Sequence, residues 1–337
     1  MVEHNYRHIG AFALEAGGYL NDINIRYHTS EGDIKGRQVI WICHALTANS
    51  NPEEWWDTLV GPSKIFDTER YFVVCANILG SCYGTTGPSN YKEAPLNRFP
   101  LVTIRDLVNA HKLLATHLGI EKIDFLVGGS IGGFQSIEWA ISEPDFVMNL
   151  CLLATSALVS PWCSATIESQ RMALEADPTF AEAKDINGGA AGLAAARSMA
   201  LTTYRNYDGY QRTQVETDVD FIKASRACSY QQYQGQKLVK RFDAYSYYSL
   251  ANGVDTHNIG RYRGGVEAAL KLIKAKTLAV GIDSDILFPE SECIRIAEGV
   301  NQGIYESISS NFGHDGFLLE YEQIERVIKR HFSTIFK

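Results

Sequence analysis

Residues 126–134 read Leu-Val-Gly-Gly-Ser-Ile-Gly-Gly-Phe, and within them Gly128-Gly129-Ser130-Ile131-Gly132 fits the pattern Gly-x-Ser-x-Gly. A run of strand formers, Lys122–Val127, leads into the pattern, and a helical apolar spacing (Ile131, Phe134, Ile137, Trp139, Ala140) follows it. Strand, turn and helix in that order make the context in which such a serine sits on a nucleophile elbow. The turn is so sharp that side chains beside the serine would collide, hence the glycines, and the hydroxyl is left exposed at the apex. The plainer reading is a glycine-rich connection whose serine only caps the helix.

The rest of the chain repeats the same alternation. Apolar strand-like runs recur at 22–28, Val39–Cys43, Tyr71–Ala76, Lys122–Val127, Val147–Leu153, Thr277–Val280 and Ile304–Ile308. Helical patterns lie at Thr103–Leu118, Ile131–Ser142, Ser291–Ala297 and Gly316–Phe332. Continuous apolar strands alternating with one-faced helices predict an α/β fold with a mostly parallel central sheet covered by helices on both faces. Short polar strands near the N-terminus are expected to add an antiparallel edge. Between about residues 158 and 265 the alternation stops, and Ala-, Gln-, Arg- and Tyr-rich helical patterns appear near 164–175, 189–203, 217–236 and 240–250. This predicts a core made of 1–157 and 266–337 with an inserted α-helical lid at 158–265. An insertion at the C-terminal edge of a parallel sheet stands where ligands bind.

Charge and cysteine usage narrow the partners. A net charge of −8 argues against nucleic acid or an anionic membrane as a partner. No stretch approaches the roughly 18 apolar residues of a membrane span, and the start Met1-Val-Glu-His-Asn-Tyr-Arg-His lacks the apolar core of a signal peptide. Seven scattered cysteines, without a Cys-x-x-Cys pair, point to reduced thiols in a cytoplasmic protein and to neither a zinc site nor a disulfide framework.

A serine nucleophile needs a base, usually a histidine held by a carboxylate, and in this fold class the chain order is Ser, acid, His. The strand Thr277–Ile282 ends in Asp283-Ser284-Asp285, and Ile304–Ile308 is followed by Gly313-His314-Asp315-Gly316. His314, in a glycine-flanked loop after a strand, is the expected base. His331 in the terminal basic run is expected to be solvated, and His257 belongs to the insertion. Spacing does not choose between Asp283 and Asp285. Attack on an acyl carbon also needs amides aimed at the developing oxyanion. Ile131, directly after the serine, and Leu46, in the loop after Val39–Cys43, are the expected donors. His44 reads as a buttress of that loop rather than as a second base.

These residues resemble the homoserine O-acetyltransferase family. The resemblance is carried by His44-Ala-Leu-Thr47, by Asn77-Ile-Leu-Gly-Ser-Cys-Tyr-Gly84 with Gly87-Pro88, by Phe99-Pro100 and by Gly128–Gly133. It continues through Glu138-Trp139, Ala196-Arg197, Thr203-Tyr204-Arg205, Ser284-Asp285 with Leu287-Phe288-Pro289, and Gly313-His314-Asp315. The resemblance implies an α/β-hydrolase fold with a helical lid and a triad of Ser130, Asp285 and His314. It further implies a substrate-contacting Arg197 and Asp315. Ile131 stands where methionine is common, and Ala48-Asn49-Ser50 replaces a more usual Gly-Asp-Ser. The implied reaction is ping-pong transfer of an acetyl group from acetyl-CoA, a cosubstrate, to L-homoserine in methionine biosynthesis, with no metal and no prosthetic group. A homodimer through the lid is expected. The alternatives are a homoserine O-succinyltransferase, a serine O-acyltransferase, or an esterase or thioesterase that uses water. No positive charge in the Ala48–Ser50 stretch is there to receive a succinyl carboxylate.

Overall fold

The computed structural model describes residues 1–336. Its strands are β1 (Val2–Ala13), β2 (Tyr19–Thr29), β3 (Val39–Cys43), β4 (Phe72–Ala76), β5 (Phe125–Gly129), β6 (Asn149–Leu153), β7 (Lys276–Ile282) and β8 (Gly303–Ile308). They form one sheet in the order β1-β2-β4-β3-β5-β6-β7-β8. Every pairing from β4 through β8 is parallel, while β1–β2 and β2–β4 are antiparallel. All residues of β3, β4 and β5 are buried, which is why these strands read as unbroken apolar runs. The antiparallel edge is longer than the sequence suggested, a hairpin of 12- and 11-residue strands. Most of β1 faces solvent, so it carries no apolar signature to read.

Alternate residues of β3 feed two cores. Trp41 and Cys43 join the layer of α1 (Ile104–His117) and α2 (Ile131–Ser142), whereas Ile40 and Ile42 pack on the opposite face with Ile324 and Ile328. Helix α1 starts where it does because Thr103 and Asp106 form a reciprocal capping box. Between β6 and β7 the chain is helical: α3 (Pro161–Glu175), α4 (Pro178–Glu182), α5 (Ala190–Tyr204), α6 (Tyr207–Thr213), α7 (Arg226–Val239) and α8 (Ala244–Asp255). Helix α7 starts nine residues later than the spacing predicted. The Glu216 carboxylate reaches forward and accepts from the Arg226 amide (2.8 Å), capping the helix from outside it. After α9 (Val266–Leu270) and α10 (Glu290–Gly299) comes a second difference. The single helix expected over Gly316–Phe332 is two, α11 (Gly316–Leu319) and α12 (Tyr321–His331), broken at Glu320. The break aims Gln323 at the β8 exit, where its side chain bonds both the amide and the carbonyl of Ser309 (3.1 and 2.7 Å).

Candidate active site

Ser130 joins β5 to α2 with φ 56° and ψ −126°, a backbone conformation that a non-glycine residue rarely adopts and that costs on the order of 1–3 kcal/mol. Close packing holds it there. A Cβ on Gly128 would lie 2.2 Å from the Gly132 carbonyl oxygen, and one on Gly132 would lie 2.1 Å from the Cys43 oxygen. Both glycines of the motif are therefore steric requirements, and α2 is pressed against the end of β3. The amides of Gly133 and Phe134 donate to the Ser130 carbonyl (2.9 and 3.3 Å), and the Ser130 hydroxyl makes no side-chain cap.

Two loops at the same sheet edge bring together the expected acid and base. The Asp285 carboxylate lies just past β7 and accepts from His314 Nδ1 (2.7 Å) through Oδ2. Its Oδ1 accepts from the amides of Leu287 (2.8 Å) and Phe288 (3.0 Å), so every orientation but one is closed to it. Asp283, the other aspartate at this strand end, instead accepts from the Ser310 amide (3.1 Å) and does not touch His314. The His314 ring is buried among Phe288, Phe317 and Tyr204, with ring centroids 5.3, 5.3 and 5.6 Å away. Ser130 and His314 line one cavity of about 410 Å³.

Leu46 lines the same cavity. Among the described residues, the amides of Leu46 and Ile131 donate to no protein acceptor, the condition an oxyanion donor must meet. His44 is a buttress, as its sequence context suggested. Its Nδ1 donates to the Ala45 carbonyl (2.8 Å) and its Nε2 accepts from the Ile78 amide (3.2 Å), which fixes a neutral ring. Burial pushes that imidazole down to about 4.

Arg197, on α5, and Asp315, beside the base, both reach the cavity. Arg197 makes no ion pair among the described residues and lies over the Tyr204 ring, 5.5 Å from its centroid. Asp315 does not cap α11 through its side chain; it pairs with Arg205 Nε (3.0 Å). Arg205 was quoted in the Thr203-Tyr204-Arg205 block, but nothing in its spacing gave it a role. The helical insertion also places Lys237, on α7, and Arg241, in the turn after it, on the cavity wall, two cations that lie far from every motif. Arg241 donates to the Thr47 carbonyl and to the Tyr83 hydroxyl (2.9 Å), tying the lid to the Leu46 loop. The cavity is thus more cationic than the Ala48–Ser50 stretch alone suggested. Asn49 is already committed, donating to Glu54 (2.7 Å).

The remaining histidines lie elsewhere. His257 is buried, stacked on Phe134 with centroids 3.7 Å apart. His331 is not solvated as expected; it bonds Glu306 (2.6 Å), a strand residue of β8 that its sequence neighbours do not reveal. Among the described residues no cluster of three or more His, Cys, Asp or Glu side chains is set out for a metal ion. No helix there is long and apolar enough to cross a membrane.

Residues 38–321 match the alpha/beta hydrolase fold family. The chain is 42% identical over 327 residues to a homoserine O-acetyltransferase of Cyclobacterium marinum, covering 95% of this chain and 92% of that one. It belongs to the homoserine O-acetyltransferase family. A homoserine O-acetyltransferase of Nostoc punctiforme is 38% identical over 344 residues, covering 96% and 94% of the two chains. Among solved structures, a homoserine O-acetyltransferase from Bacillus anthracis superposes with a TM-score of 0.88 at 22% identity, over 98% of both chains. The acetyl esterase MekB superposes with 0.87 at 23% identity, over 100% of this chain and 97% of that one. At those identities the structural likeness speaks for the fold alone, which the homoserine O-acetyltransferase family shares with esterases.

Proposed function

We propose that this chain transfers an acetyl group from acetyl-CoA to the hydroxyl of L-homoserine through an acyl-enzyme on Ser130. The observation that carries the reading is the Asp285–His314 pair at one cavity with Ser130, Leu46, Arg197 and Asp315. His314, oriented by Asp285, takes the proton of Ser130 as its oxygen attacks the thioester carbonyl. The amides of Leu46 and Ile131 receive the negative charge that develops on the carbonyl oxygen. Collapse breaks the C–S bond, and CoA leaves with the proton from His314. The homoserine hydroxyl then gives its proton to His314 and attacks the ester. Ser130 departs, reprotonated, and O-acetylhomoserine is released for methionine biosynthesis.

The acceptor is a zwitterion, and the cavity offers a partner for each end. Arg197 suits its carboxylate as a two-pronged donor. Asp315 suits its ammonium, sharing its charge with Arg205. Acetyl is favoured over succinyl because the Ala48–Ser50 stretch carries no cation and its Asn49 amide is spent on Glu54. Lys237 and Arg241 give the cavity wall a charge that suits an anionic CoA donor. Acetyl-CoA acts as cosubstrate, with no resident cofactor. Exposed Trp162, Tyr207, Val219 and Ile222 on the helical insertion support a homodimer through that insertion, a reading that sedimentation as a monomer at micromolar concentration removes. Seven unpaired cysteines support a cytoplasmic location, checked by fractionation of cells that make the protein.

Mass spectrometry after mixing with acetyl-CoA is expected to place 42 Da, about the mass of an acetyl group, on the Ser130 peptide, and Ser130→Ala should abolish it. Homoserine should discharge the acyl-enzyme far faster than water. Discharge at equal rates with and without homoserine would make the protein an esterase, and acylation of a cysteine would remove the mechanism.

A further inference from the structure

The proposed oxyanion donors are two backbone N–H groups, and each belongs to a rigid peptide plane whose other end is a carbonyl. The Leu46 N–H shares its plane with the Ala45 carbonyl. That oxygen accepts from His44 Nδ1 (2.8 Å) and from the Ala48 amide (3.0 Å). The Ile131 N–H shares its plane with the Ser130 carbonyl, which accepts from the Thr155 hydroxyl (2.8 Å) and from the amides of Gly133 (2.9 Å) and Phe134 (3.3 Å). The two sites share one device: a buried side-chain donor joins backbone donors, one at the Ala45 oxygen and two at the Ser130 oxygen, to pin the back of each plane. Both side chains are fully buried, so water does not compete for these bonds. Thr155 is also placed by shape, since a Cβ on Gly133 would come within 2.5 Å of its hydroxyl oxygen. The absence of a side chain at Gly133 makes the room that the hydroxyl fills.

We infer that His44 and Thr155 are positioning residues for the acyl-transfer step. Neither touches the reacting atoms. Each fixes the tilt of one peptide plane, and each polarises it, because a hydrogen bond accepted at the carbonyl strengthens the N–H at the other end. His44 can do this only as the neutral Nδ1–H form, and the Ile78 amide donating to Nε2 holds it there. Gln135 ties the two halves together, its Nε2 donating to the carbonyls of His44 (3.2 Å) and Ile131 (3.1 Å). Three buried side chains therefore set the mutual aim of two amides that lie far apart in sequence.

The inference rests on the reading of Leu46 and Ile131 as oxyanion donors, and one experiment separates the two. The acyl-enzyme is formed with acetyl-CoA labelled with ¹³C at the carbonyl, and its ester stretch is recorded by isotope-edited infrared spectroscopy. Hydrogen bonds from an oxyanion hole lower that frequency. A wild-type ester band at the position of an acetyl ester in water removes the donor reading itself. A lowered wild-type band is expected, and Thr155→Ala should raise it while slowing acylation by between about 10- and 100-fold, less than the loss of a whole donor. The KM for acetyl-CoA should hold, and Thr155→Ser, which keeps the hydroxyl, should restore both band and rate. His44→Asn, with an amide N–H in place of Nδ1–H, should lie between wild type and His44→Ala. A lowered wild-type band that stays put in folded Thr155→Ala, or a Thr155→Ser variant as slow as Thr155→Ala, would overturn the positioning role.

Discussion

Replacing Asp285 with Asn tests the proposed triad at its most constrained atom. Oδ1 accepts two buried amides, from Leu287 and Phe288, and Oδ2 accepts from His314 Nδ1. An asparagine there has one oxygen and one NH₂. Turning the NH₂ toward Leu287 and Phe288 would set donors against donors and strand two buried amides, at about 1–3 kcal/mol each. The oxygen therefore stays with those amides and the NH₂ faces His314. Nδ1 must then accept, so the ring proton moves to Nε2, the nitrogen needed as base, and the ring cannot take the proton of Ser130. The shape of the site is unchanged and its tautomer is wrong. Loss of about four decades in turnover is expected, or ~5.4 kcal/mol of transition-state stabilisation. Asp283→Asn keeps an oxygen for the Ser310 amide and should cost only a few-fold. The assay is the rate of CoA release in the first turnover, with the KM for acetyl-CoA expected to hold. An Asp285→Asn enzyme that keeps a tenth of wild-type activity, or a reversed order of the two variants, would refute the argument.

Two further outcomes follow from the same geometry. Arg197→Ala removes a cation that has no carboxylate partner among the described residues, so acylation should survive while transfer to homoserine weakens by ~2–5 kcal/mol; equal loss in both half-reactions would take Arg197 out of the acceptor site. Burial holds His111 and His257 at about 3 and His44 at about 4, below their ordinary range. The unfolded chain therefore binds protons first, so the stability these groups lend is present above about pH 6.5 and is lost as pH falls toward 4. Each contributes a loss of ~2 kcal/mol between pH 7 and 5. His111→Phe, between Trp41 and Trp139, should flatten urea-unfolding stability by that amount, and an unchanged pH dependence would refute the assignment.

Legibility varied with how local the physics is. The elbow was readable because its pattern is written in five consecutive residues, although the contact that demands Gly132 is with distant Cys43, and β3 and α2 fall where periodicity put them, at Val39–Cys43 and Ile131–Ser142. The pairing of His314 with Asp285 rather than Asp283 depends on which carboxylate a loop turns inward, a matter of three-dimensional geometry that spacing left open and family resemblance filled. The places of Arg205, Lys237 and Arg241 had no signal in spacing, since a cation on or just after a helix of the insertion looks like any solvated one until that helix is placed. Position 217 looked helical because nothing in the composition near 217–236 reveals that Glu216 will bond Arg226. His331 looked solvated because its partner, Glu306, comes from another element.

The place of the lid in the chain has a consequence for synthesis on the ribosome. Strands β1 to β6 are complete by Leu153 and already occupy six neighbouring places in the sheet, while β7, the partner of β6, does not begin until Lys276. At roughly 5–20 residues per second, the open flank of β6 waits on the order of 6–25 s for its neighbour. A buried strand with one unpaired side through that interval is a template for a second nascent chain. Asp285 and His314 also emerge after the helical insertion, so the triad proposed for Ser130 is incomplete until the sheet is closed. The order of translation thus withholds the proposed chemistry from the unfinished protein, at the cost of leaving its stickiest edge uncovered the longest.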